Sequence, residues 1–247
     1  MNRRQFIHSS IFALIAGSLA SCSESQKFQL RKNMVIGCFG DSITNAGGHG
    51  YVELLQEKLN EEHPELQIKL INFGKSSETV SGLTEEDHPG PRPYLFERLD
   101  DILAKNPIDM ALFCYGINCG IYGPPSEELF NSFKIGVYSF LEKLRQKNIG
   151  AILLSPPPLA LNAAPLDHLS DSVPYGYKNP YPKYETEVLQ EFKEIVLNME
   201  HPVSQMEIDI HTPLLEQQGN CYDQDPIHPN SKGHELIAHT IYRKLSF

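Results

Sequence analysis

The chain has no tryptophan, only five cysteines and no surplus of positive charge. Five cysteines among 247 residues are too few for a disulfide scaffold. With 21 Lys and Arg against 31 Asp and Glu, the formal charge is −10. This argues against nucleic-acid binding, because neutralising phosphates needs clustered Lys and Arg. There is no internal repeat and no low-complexity tract. The Gly-x-Ser-x-Gly pattern of a strained strand-to-helix nucleophile turn is missing. Gly47-Gly48-His49-Gly50 lacks the Lys-Ser/Thr of a phosphate loop. What is present is 40% hydrophobic and 21% charged residues, the balance of an ordinary globular protein, which excludes wholesale disorder, collagen-like repeats and coiled coils. The length suits one large domain or two small ones.

The N-terminus stands apart. Arg3 and Arg4 precede an apolar stretch from Phe6 to Ala20, broken only by His8, Ser9, Ser10 and Ser18, and no acidic residue occurs before Glu24. Such a stretch is short for a membrane span and the right size for a secretory signal. It ends in Leu19-Ala20-Ser21-Cys22, which resembles a lipobox, and Asn2-Arg3-Arg4-Gln5-Phe6-Ile7 looks like a twin-arginine export signal. Residues 1–21 are therefore expected to be a cleaved lipoprotein signal, with Cys22 the lipid attachment point and 22–32 a polar tether. Residues 33–247 are then one exported domain, anchored at a membrane by acyl chains. Removing 1–21 takes away Arg3 and Arg4 and no acidic residue, moving the charge from −10 to −12.

From Asn33 onward the hydrophobic period keeps switching. Met34–Phe39, Gln67–Phe73, Ile108–Tyr115, Ala151–Leu154 and Val203–Ile210 read as strands. Tyr51–Leu59, Pro93–Ala104, Ser126–Lys147, Lys183–Leu197 and Lys232–Leu245 read as helices. Ser126 is a candidate cap for the longest, whose buried stripe is Phe130, Phe133, Val137, Phe140, Leu141 and Leu144. Alternation of this kind predicts an α/β fold, a three-layer α/β/α sandwich on a parallel sheet. One long proline-rich stretch, Pro156–Pro182, is irregular, and loops of that length are commonly functional.

The chemistry-bearing residues fall at strand ends, where parallel sheets bind ligands. Gly40-Asp41-Ser42 follows the first strand and supplies a serine. Near the other end, Asp225-Pro226-Ile227-His228 places a carboxylate three residues before a histidine on a proline-braced loop. Serine needs a base to lose its proton, and the base needs a carboxylate to fix its tautomer. Asn72-Phe73-Gly74 and Gly116-Ile117-Asn118 follow the second and third strands. A glycine N–H and an asparagine amide are suitable donors for a developing oxyanion.

These four segments, in this order, resemble the SGNH or GDSL hydrolase family. The resemblance implies a flavodoxin-like sheet of about five parallel strands and a serine esterase needing no cofactor or metal. In it Ser42 is the nucleophile, His228 the general base and then acid, and Asp225 the residue that orients His228. The Ser42 N–H, the Gly74 N–H and the Asn118 amide would form the oxyanion hole. Cys119 departs from the family, which often has Asp after this asparagine. Cys221 lies near the same rim, so a Cys119–Cys221 disulfide is one reading and two free buried thiols the other. Cys38 and Cys114, inside apolar strands, are expected to be free.

The polar loop Glu85–Arg92 should border the cleft, with His88 and Arg92 as candidates to hold a polar or anionic substrate group. Asp41 and Tyr122 are further candidates for substrate binding, and Tyr175, Tyr177 and Tyr181 also lie in loops near the strand ends, where rings can stack on sugars. His234 and His239 are five apart instead of four, about 140° around a helix, too far for one metal. His201 and His211 bracket the last strand and read as surface or core-edge residues. The expected substrate is an acylated glycan, attacked at small acyl groups such as acetyl, with no nucleic acid and no obligate protein partner. A lipolytic or thioester hydrolase for longer acyl chains is one alternative; a catalytically silent glycan-binding lipoprotein is another.

Overall fold

The apolar runs become five parallel strands: β1 Val35–Gly40, β2 Lys69–Asn72, β3 Met110–Cys114, β4 Gly150–Leu154 and β5 Ser204–Ile208, in the order β2-β1-β3-β4-β5. The computed structural model describes residues 29–166 and 169–245. The expected signal 1–21, the Cys22 lipid site and the first part of the tether lie outside the described residues. β1, β3 and β4 are almost wholly buried, whereas the edge strands β2 and β5 are partly exposed. This is why the central strands read as unbroken apolar runs: both faces of the sheet are covered.

The helices are α1 Tyr51–Glu62, α2 Leu99–Lys105, α3 Glu127–Arg145, α4 Gln190–Leu197, α5 His211–Glu216, α6 Gln218–Cys221 and α7 Ser231–Tyr242. Placement of strands reverses direction at β1, and parallel crossovers are right-handed. That puts α1 on one face and the helices of the later crossovers on the other. α7 packs on α1 and α4 on α3, completing the three layers. Ser126 caps α3 by accepting the Leu129 N–H at 3.2 Å, a bond typically worth about 1 kcal/mol. The α3 stripe buries Leu129, Phe133, Val137, Phe140, Leu141 and Leu144, with Phe133 stacked on Phe192 of α4 at 4.0 Å. Phe130 lies at the margin of this stripe and is only partly buried.

Several boundaries differ from expectation for identifiable reasons. The helix read from Pro93 splits into a 3₁₀ turn, Leu95–Glu97, and α2, because Arg98 leaves helical geometry (φ −128°). Its guanidinium is bonded to Glu78 and to the Phe73 carbonyl. The helix read from Lys183 begins as a π-helical turn, Tyr184–Leu189, before α4. α5 and α6, each under two turns, were not expected at all. His211 is fully buried, correcting its reading as a surface or core-edge residue. It contacts the Pro156 carbonyl at 2.9 Å and Glu185 at 2.8 Å. His201 is also buried.

Within the described part of Pro156–Pro182 there is no helix or strand. The segment is nonetheless organised, because the buried Asn179 side chain donates to the carbonyls of Ser170, Val173 and Pro174 and accepts the Ser170 N–H. It carries Tyr177 to the carboxyl end of the sheet.

Candidate active site

The strand-order reversal leaves a crevice outside the carboxyl ends of β1 and β3, the place where open parallel sheets bind ligands. β1 delivers Asp41 and Ser42 there. Asp41 turns the chain by accepting the Ile43 N–H on Oδ1 (3.0 Å), and its carbonyl accepts the Asn45 N–H (2.9 Å). The Asp41 side chain is buried beneath the serine, and burial pushes its carboxyl up to about 7, against the Ile43 bond and the positive charge of His228 and Arg92. It is not among the residues lining the cleft.

The last loop brings the histidine. Asp225 Oδ1 accepts the N–H groups of Ile227 (2.8 Å) and His228 (3.3 Å), folding Asp-Pro-Ile-His onto itself. The Pro226 carbonyl accepts the Ala160 N–H at 2.9 Å, tying this loop to the segment after β4. Asn230 then caps α7 by accepting the Gly233 N–H at 3.1 Å. The result is a continuous chain: Ser42 Oγ lies 2.8 Å from His228 Nε2, and His228 Nδ1 lies 2.6 Å from Asp225 Oδ2. The carboxylate selects the tautomer with its proton on Nδ1, leaving Nε2 to accept from the serine hydroxyl. The hydrogen bond to Asp225 raises the His228 pKa above the ordinary histidine range, against partial burial. For Asp225, burial pushes upward, but the His228 ring and the loop N–H groups together hold its pKa below the usual carboxylate range.

Asn118, 4% exposed, follows β3 and lines the same cleft as Ser42 and His228. Its Oδ1 accepts the Tyr122 hydroxyl at 2.9 Å, and its Nδ2 is buried with no partner among the described residues. Buried donors without acceptors are costly, at about 1–3 kcal/mol each, and this one belongs to a residue that lines a ligand cleft.

Gly74 is a correction. Its N–H donates to Asn72 Oδ1 at 2.9 Å, and it does not line the cleft. Glycine is needed there because a Cβ would lie 2.5 Å from the Asn45 nitrogen, so the residue packs under the loop that carries Ser42. Just after Gly74, the residues that line the cleft are Ser76 and Ser77. Ser77 is left-handed (φ 64°), and no group among the described residues accepts its N–H. Sequence reasoning missed it because glycine and asparagine signal positive φ and serine does not.

The cleft encloses about 320 Å³, and His88, Pro89, Tyr177 and Ile227 form much of its rim. The His88 ring meets Tyr177 edge-on at 6.2 Å, joining the two loops above the cleft. Arg92 lines the cleft but is not available as an anion receptor. Its side chain is 2% exposed and forms a bidentate pair with Glu85, with Nη1 donating to the Ser77 carbonyl at 3.1 Å. Tyr122 is fully buried and spends its hydroxyl on Asn118. Tyr175 and Tyr181 bond to Asp171 and Glu187 and do not line the cleft.

Of the two readings for Cys119 and Cys221, the structure has the free thiols and no bridge. Both thiols are free and buried; Cys119 Sγ accepts the Val80 N–H at 3.5 Å, while Cys221 packs under Gly233 of α7. Burial pushes the Cys119 thiol up to about 12. Cys38 and Cys114 are free and buried in their strands.

The chain matches the GDSL-like Lipase/Acylhydrolase family over residues 38–236 and belongs to that family. It is an SGNH-type ester hydrolase. Among solved structures it is similar to Axe2, an acetylxylan esterase from Geobacillus stearothermophilus, at 21% identity and a TM-score of 0.65, covering 89% of this chain and 97% of that one. It is also similar to LAE5, an alpha/beta hydrolase enzyme from the metagenome of Lake Arreo, Spain, at 18% identity and a TM-score of 0.61, covering 87% and 95%. At these identities the likeness concerns the fold. No curated protein matches the chain.

Proposed function

We propose that the protein is an exported serine esterase that removes small acyl groups, acetyl foremost, from a carbohydrate. The observation that carries this reading is the Ser42–His228–Asp225 hydrogen-bonded chain beside the unpartnered Asn118 amide. His228 Nε2 takes the Ser42 proton as Oγ attacks the ester carbonyl, and Asp225 stabilises the imidazolium that forms. The negative charge on the carbonyl oxygen is received by Asn118 Nδ2 and by the N–H groups of Ser42 and Ser77. His228 returns its proton to the departing sugar hydroxyl, then activates water to release the acid.

The cleft, at the small end of the range for ligand pockets, roughly 300–1,000 Å³, suits a short acyl group. The His88–Tyr177 rim offers polar and aromatic surface to a sugar ring. The acetylxylan esterase named among the similar structures acts on such a substrate. Arg3, Arg4, the apolar stretch 6–20 and Cys22 support a cleaved 1–21 signal, a 22–32 tether and a lipid-anchored domain from residue 33. Acetate release from a panel of acetylated polysaccharides, with Ser42→Ala as control, tests the reading. Preference for synthetic esters of eight carbons or more would overturn the substrate class.

A further inference from the structure

The loop after β2 that carries Ser77 is held by two arginines from the following segment. Arg98 donates to the Phe73 carbonyl and, through two nitrogens, to the buried Glu78. Arg92 donates to the Ser77 carbonyl at 3.1 Å, from a guanidinium fixed by the buried Glu85 carboxylate. Arg92 alone also reaches the opposite wall: its guanidinium carbon sits 5.7 Å from the centroid of the Tyr122 ring, and the Tyr122 hydroxyl fixes the Asn118 amide.

A left-handed serine is a sparsely populated conformation that persists only where its surroundings impose it. Gripping the carbonyl of Ser77 sets the rotation of that residue and thereby the backbone around its N–H. Packing against Tyr122 limits where the Asn118 amide can sit. We infer that Arg92, braced by Glu85, is a positioning residue that sets the distance between the Ser77 N–H and the Asn118 Nδ2, two of the three donors proposed for the developing oxyanion. This inference rests on the esterase reading above. It assigns the buried Arg92–Glu85 ion pair to the transition state and not to substrate capture.

Removing Arg92 alone would strand a buried carboxylate, which is strongly destabilising. The test therefore uses the paired change Arg92→Met with Glu85→Leu, together with Arg92→Lys and Tyr122→Phe. Each is compared with the wild-type full domain on an activated acetyl ester, with binding of a boronic acid as a tetrahedral mimic. In the paired variant kcat is expected to fall about 10–10²-fold with KM within about twofold, since small misplacement of preorganised groups is costly in the transition state. Boronic acid affinity should fall in parallel, and Arg92→Lys should recover part of the loss. A rise in KM with kcat unchanged would overturn the inference by making Arg92 a substrate contact, as would no change in either constant. If the paired variant does not fold, Tyr122→Phe decides: it keeps the ring beside Arg92 but frees the Asn118 amide, so an unchanged kcat overturns the coupling. Wild-type protein that neither turns over the ester nor is labelled at Ser42 by a fluorophosphonate would instead refute the esterase reading, and the positioning role with it.

Discussion

Tyr122 donates its hydroxyl to Asn118 Oδ1 across 2.9 Å, which fixes the amide's orientation and leaves its NH₂ without an acceptor among the described residues. Asn118→Ala is therefore expected to lower kcat about 10²–10³-fold, the usual cost of an oxyanion donor, with little change in KM. Steady-state kinetics on an acetyl ester checks it; a loss confined to KM would mean that the amide binds ground-state substrate instead.

The Asp225–His228 bond sets the pH dependence. Activity requires neutral His228, so it should rise with pH through a pKa above the ordinary histidine value. Asp225→Asn removes the charge that raises this pKa, so the acid limb of kcat/KM should move to lower pH. The plateau should fall by about 10³–10⁴-fold, because the tautomer and the imidazolium lose their support. An unmoved limb would show that another group controls it.

Gly74→Ala keeps the main-chain N–H and yet should be harmful. The added methyl meets the main chain at Thr44 and Asn45, and overpacking of this sort costs about 1–3 kcal/mol. Urea denaturation should show the midpoint falling, with activity reduced through displacement of Ser42. Wild-type stability would contradict the packing.

The cysteines give a chemical check. Digestion under non-reducing conditions should yield no peptide joining Cys119 to Cys221, and reductant should leave the melting temperature unchanged. A linked peptide would require the loop carrying Asn118 and helix α6 to sit differently.

Much of the fold was legible because its physics is local. Phe39, Phe113 and Leu153 lie in central strands buried on both faces, so their runs carry no polar interruption. The α3 stripe repeats for 19 residues, long enough for a helical period to declare itself. α5 and α6 are too short to do so. At the site, Ser42, Asn118, Asp225 and His228 were readable because their types and order carry chemistry. Ser77 was not, since its left-handed main chain is a rotation that a serine side chain does not advertise. Arg92 read as a candidate anion receptor because nothing in a polar loop distinguishes Glu85, its buried partner, from Glu86 beside it.

The hydrogen bond between Ser42 and His228 spans 186 positions in sequence. The serine is held by the first strand, while the histidine arrives only with the loop before the final helix, which must dock on α1 to bring it into place. The serine and its histidine partner thus meet only when segments from opposite ends of the described fold have docked. A chain cut before residue 225 would keep all five strands and Ser42 yet leave that hydroxyl with no imidazole beside it, so the site is divisible although the sheet is not.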